Sequence, residues 1–323
     1  MAHVIELRPT VGHQPSRALT LAEALERLTT AGYEADAHTW EQFVDGGLLR
    51  HSKAASAKLT EVSNQDFKRF RQLLDVRLRV GSRASIDELC FYACAANVSD
   101  VPTTRVVSFV ESGISSFFAA ATDALRAVTA LPDRLGVEGQ RVLSFRLACA
   151  LLGSQTTRAR QPSNNIEWLM TTCCMMFLHA TWRNRTRGRG PAPRILTPAV
   201  LDTDETPISA MSAGRPLRSR AAEVTLPPIA DLEKIIAGLR RAAYDRSADV
   251  ASAAAGAARL VDGQLASADH SKLPIIVKSV APLLTAAFIR VRTSAPSGTA
   301  ERLVASAWTD QRAFQSALLA YWT

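Results

Sequence analysis

The chain has 323 residues, is 47% hydrophobic and 21% charged, and carries a formal net charge of +8. That length and balance exclude a wholly disordered chain and leave room for two or three domains with sizeable cores. With no run of 18 apolar residues and no leader-like N-terminal apolar stretch, a membrane span is not expected, and five unevenly spaced cysteines fit a reducing cytoplasm better than a disulfide framework.

The basic balance favours anionic partners, nucleic acid first among them. Arginine carries most of it and suits bidentate contact with phosphate or guanine. An alanine- and arginine-rich composition would produce the same excess with no such partner.

Residues 1–18 read as a flexible arm. Thr20 and Glu23 are spaced as a capping box, so a helix should start there, with Leu21, Leu25 and Leu28 on one face and Gly32 as its stop. Asp36 is a good N-cap for a second, short helix whose buried stripe is Trp40, Phe43 and Val44. Gly46 and Gly47 end it, and Leu48 and Leu49 turn back to the core. His51 to Lys58 has no apolar side chain larger than alanine and suits an exposed hairpin tip. Ser63 caps a third helix with Phe67, Phe70, Leu74 and Leu78 inward, while Lys68, Arg69, Arg71, Arg77 and Arg79 lie mostly away from that face.

Farther on, Ser85 to Asn97 reads as a helix with Ile86, Leu89, Cys90 and Ala93 inward. Asp100 is positioned to cap a long helix to about Ala130, with Val106, Val110, Ile114 and Phe117 buried. Val137 to Leu152 and Ser163 to Trp182 are further helices, the second apolar enough to be buried between neighbours. Arg183 to Arg220 holds eight arginines, five prolines and an acidic island at Asp202, Asp204 and Glu205, and reads as a basic linker or nucleic-acid-binding arm. Helical spacing resumes at Ile229. Pro274 to Val277 is ambiguous between strand and helix, and Thr299 opens a final helix through Trp308 to Leu318. The expected fold is mainly α, divided as 1–18 arm, 19–97 N-terminal domain, 98–182 helical domain, 183–228 linker and 229–323 C-terminal helical domain.

The order of parts between Leu19 and Asn97 resembles the winged helix-turn-helix of the MerR and excisionase-like superfamily. Leu19 and Thr20 match its opening, and Asp36, Thr39, Trp40 and Phe43 fall on its recognition-helix pattern. Gly47, Leu48 and Leu49 match directly, and Ser85 to Leu89 looks like its last helix start. Glu41 departs from it, standing where the family commonly has arginine. The resemblance covers about a quarter of the chain. It implies major-groove contact by Ala37, His38, Thr39 and Gln42, a wing of Arg50, His51, Lys53 and Lys58, and backbone contact by Lys68, Arg69 and Arg71. It also implies dimerisation through a helix after the DNA-binding domain, for which 100–130 is the candidate. The same caps and glycine stops also fit a plain helical domain.

Phosphate-binding, zinc-protease and serine-hydrolase motifs are absent, so no enzyme activity, metal or cofactor is expected. Cys90 and Cys94 share a helix face and, with Cys173, Cys174 and His179, raise thiol or metal sensing; buried core cysteines are the plainer explanation. The expected function is sequence-specific binding of double-stranded DNA by a homodimeric or higher-order transcriptional regulator at a bacterial nucleoid. The alternatives are a DNA-coating factor of partition, excision or mobile-element type and a helical adaptor that binds no DNA.

Overall fold

A computed structural model of the chain describes residues 19–50, 61–128, 137–153, 162, 164–186, 229–265 and 274–322. The proposed arm, the wing tip and nearly all of the arginine-rich segment lie outside them. The described residues form twelve helices and two short strands, a mainly α protein. Contacts divide the chain into two compact units, Met1–Ser82 and Arg83–Thr323.

In the first unit the order is β1 (Leu19–Thr20), α1 (Leu21–Thr30), α2 (Ala37–Asp45), β2 (Glu61–Val62) and α3 (Asn64–Val80). The strands pair antiparallel, Leu19 opposite Val62 and Thr20 opposite Glu61. The capping box at Thr20 is formed: the Glu23 N–H donates to Thr20 Oγ1 at 3.3 Å, and the Thr20 N–H donates to Glu23 Oε2 at 2.9 Å. α1 and α2 each stop in a glycine-centred turn, with Gly32 at φ +88° and Gly47 at φ +73°. The Tyr33 N–H reaches back to Leu28 O, and the Leu48 N–H to Phe43 O, which closes the free carbonyls of each last turn.

The second unit is helical throughout its described residues: α4 (Ile86–Ala95), α5 (Thr103–Val128), α6 (Val137–Leu151), α7 (Asn165–Thr186), α8 (Ile229–Asp245), α9 (Ser247–Leu265), α10 (Pro274–Ser294), α11 (Thr299–Thr309) and α12 (Gln311–Trp322). α10 is its axis, packed by α5, α9, α7 and α12. Residues 279–289 are buried on every side, as an element apolar all round must be. Its Thr285 hydroxyl is satisfied locally by Ala281 O at 2.7 Å. α7 is buried from Ile166 to Leu178, and its Thr172 hydroxyl accepts from Gln315 of α12 at 2.9 Å. Phe177 meets Phe117 and Phe118 edge-on, while Phe314 bridges Trp168 and Phe288.

Several boundaries differ from the sequence reading. α4 belongs to the second unit, because it packs on α5 and α9, so the N-terminal body ends near Ser82 rather than at 97. Helices expected in two domains, 98–182 and 229–323, share one core around α10. Asp100 does not cap α5: it sits in a turn at φ +54°, and the helix starts at Thr103 after Pro102. The ambiguous stretch at Pro274 is helical. The final helix is two, broken at Asp310, whose Oδ1 accepts from the Ala313 N–H at 2.9 Å and so caps α12.

α5 and α10 cross where Gly113 lies against the ring of Pro282; a Cβ at Gly113 would stand 2.3 Å from Pro282 Cγ. Nothing lies within 4 Å of a Cβ at Gly238 on α8. Gly113→Ala is therefore expected to destabilise the protein by about 1–3 kcal/mol through overpacking. Gly238→Ala should stabilise it by about 0.5–1 kcal/mol through helix propensity. Thermal unfolding of the two variants checks the opposite signs.

Candidate nucleic-acid interface

The first unit is built around Phe70 of α3, which is fully buried. Trp40 and Phe43 of α2 meet its ring edge-on at centroid distances of 5.0 and 5.6 Å. Such pairs contribute about 0.5–1.5 kcal/mol each beyond the area they bury. Because residues 40 and 43 lie inward, helical periodicity turns 37, 38, 41 and 45 outward. Ala37, His38, Glu41 and Asp45 are all exposed, and Gln42 is half-buried. Gln42 Nε2 and His38 Nε2 lie 2.9 Å apart, one turn along this face.

The start of α2 is held from both sides. Asp36 Oδ1 accepts from the Thr39 N–H at 2.6 Å. Arg77 of α3 donates from Nη1 to Thr39 Oγ1 at 3.2 Å, and its other nitrogen donates to Ser82 O at 3.4 Å. Hydrogen bonds from Thr39, together with the nearby His38 and Arg77, hold the Asp36 carboxyl below its ordinary range. At the α1–α2 turn, the Tyr33 hydroxyl donates to Asp75 Oδ1 at 2.8 Å and accepts from Arg71 Nε at 3.2 Å. That bond to Tyr33 pushes the Arg71 guanidinium still further above its normal range, so it stays charged.

These contacts sort the residues proposed from sequence. Ala37, His38, Arg50, Lys68 and Arg71 are exposed, with Gln42 at the edge of the outward face. Thr39 is buried at 5% and spent on Asp36 and Arg77, so it orders the helix start rather than facing outward. Arg69, also 5% exposed, is buried and is not on the outer surface of α3. Leu78, expected inward, is 64% exposed: Leu73 and Val76 fill the inner face of α3 in its place. His51, Lys53 and Lys58 fall outside the described residues. Sequence reading missed the cation at the α2 N-terminus. Arg77 had been counted with the outer face of α3, and its Thr39 contact joins residues 38 positions apart.

The electrostatics are divided. Residues 19–82 hold nine Lys and Arg and nine Asp and Glu, so this stretch supplies none of the net +8. Glu41 and Asp45 stand on the outward face of α2 beside His38, whereas the cations gather on α3 and at Arg50. Residues 183–220, with eight arginines against three carboxylates, supply most of the excess.

The thiols lie elsewhere. All five cysteines are free and buried in the second unit. Burial pushes the Cys94 thiol up to about 11 and raises Cys173 and Cys174 as well. These three stay protonated at neutral pH and pack as small apolar groups. Among the described residues no three His, Cys, Asp or Glu side chains are grouped to hold a metal, and no helix is long and apolar enough to cross a membrane.

Asp36→Ala should lower the stability of α2 by about 1 kcal/mol at neutral pH, read as faster amide exchange across that helix in the intact protein. The folded-state carboxyl is depressed, so its contribution is full above the ordinary value of 3.8 and is lost as pH falls through the lower folded value. The difference between variant and wild type should therefore vanish only in strong acid. No protein-family model, curated protein or solved structure matches this chain.

Proposed function

We propose that the N-terminal unit binds double-stranded DNA as a winged helix-turn-helix, and that the chain acts as a sequence-specific regulator of transcription. The observation carrying this reading is the pairing of β1 with β2, which joins the strand before α1 to the strand before α3. The connection between Arg50 and Glu61 therefore leaves from the end of α2 and returns beside β1, where a winged module has its wing. α2 offers His38 and Gln42 to base edges. Arg50, Lys68 and Arg71, with Lys53 and Lys58 in the connection, take phosphates.

Glu41 and Asp45 limit how this works. Carboxylates on the outward face repel the phosphate backbone, so the grip falls on α3 and the wing, and base reading on one edge of α2. A winged module whose residues 19–82 carry no net charge binds weakly by itself, which favours two copies on one site and a homodimeric or larger assembly through the helical unit.

The concentration of charge in 183–220 favours a second reading, in which an arginine arm grips any duplex and the chain coats DNA. Fluorescence anisotropy with the full chain on genomic fragments separates the two. On the first reading, affinity falls steeply between 50 and 200 mM salt, and Lys68→Ala reduces the salt slope by about 1. His38→Ala combined with Gln42→Ala then relaxes sequence preference at an unchanged slope. Binding that is unaffected by all three substitutions would overturn the winged-helix reading, and extended cooperative coverage would favour the coating one.

A further inference from the structure

A concavity in the second unit has no part in this reading. It is a cleft of about 850 Å3 running along α9, walled by α11 and by the turn between α4 and α5. That volume lies within the range of small-molecule sites, about 300–1,000 Å3. Its floor on α9 is cut low by Ala251 and Ser252. α11 comes close enough that a Cβ at Gly256 would touch Val304 Cγ2 at 3.4 Å.

Four charged residues line the cleft: Asp100, Arg259, Arg292 and Glu301. Arg292 is neutralised, paired with Glu301 and, at 3.5 Å, with Asp249. Asp100 has a partner of its own. Arg259 has no carboxylate partner among the described residues. Its Nε donates to Ala255 O at 3.2 Å, which draws the guanidinium back one turn toward the α9 N-terminus and leaves its remaining N–H groups for an anion.

At the other end stands Trp308, 51% exposed. An exposed indole gains contact area and desolvation when a ligand covers its ring. Its position depends on Gly263: a Cβ there would lie 2.6 Å from the ring. The guanidinium is tied to Ala255 O and the indole lies against Gly263, which sets the two about 10 Å apart along the axis. One unpaired cation, one aromatic face and an apolar floor between them define the occupant.

We propose that this cleft binds an elongated aromatic carboxylate about 10 Å long, its anion on Arg259 and its far ring on Trp308. The site stands whether or not the first unit binds DNA. Isothermal titration of the intact chain with biphenyl-4-carboxylate, and with biphenyl-4-carboxamide as the uncharged control, tests it. The acid should bind saturably and more tightly than the amide. Arg259→Met should weaken the acid about tenfold and leave the amide unchanged. Trp308→Leu should weaken both, and Ala305→Phe, an exposed wall position whose change spares the core, should block both. An unchanged melting temperature in each variant establishes that folding is intact. Absence of saturable binding, equal effects of Arg259→Met on acid and amide, or unimpaired binding to Ala305→Phe would each overturn the proposal.

Discussion

The seating of Trp40 and Phe43 against the Phe70 ring fixes which side of α2 meets solvent, and everything said about recognition follows from that. α2 is nine residues long, too short to be stable as an isolated helix. Its rotation about its own axis is set by two aromatic contacts, one carboxylate cap and one bond from Arg77. A rotation of about 100°, one residue's worth, would exchange His38 for Thr39 on the outer face. The aromatic packing is thus both the core of the small unit and the device that selects its outward residues.

The helical unit follows the opposite logic. It gathers around α10, whose stretch 279–289 is buried on every side, so each neighbour must bring a small or apolar surface to that stretch. Gly113 lets α5 press on Pro282, and Gly263 does the same for Trp308 on α9. Close approach at those glycines makes the unit dense, yet Ala251 and Ser252 on the outer side of α9 leave a cleft open. The cations are handled in the same spirit. Arg105 pairs with Asp87, Arg240 with Glu111 and Lys278 with Glu88, tying helix to helix. Arg259 stands outside this pairing scheme.

Local chemistry made the N-terminal half of the fold legible. Thr20, Asp36 and Ser63 each cap the helix that their spacing announced, and Gly32 and Gly47 adopt the positive φ that their positions called for. These signals act within about four residues and need no tertiary knowledge. Tertiary packing hid the rest. The inner face of α3 runs through Leu73 and Val76 instead of Leu78, and Arg69 lies inward, because Phe70 is wedged between two rings of α2. α4 carries the periodicity of any amphipathic helix, which does not say which neighbour it packs on. The break at Asp310 was missed because the apolar spacing runs on through it. Of the site, the exposed positions of α2 and α3 were readable. The contact of Arg77 with Thr39 and the cleft along α9 were not, since each joins residues far apart in the chain.

Amide hydrogen exchange on the intact protein, with and without duplex DNA, probes the recognition claim most directly. If α2 and the connection between Arg50 and Glu61 form the interface, residues 37–60 and the first turns of α3 gain protection when DNA is added. Protection confined to residues 183–220, with 37–60 unchanged, would contradict the account and move the nucleic-acid grip to the arginine-rich segment.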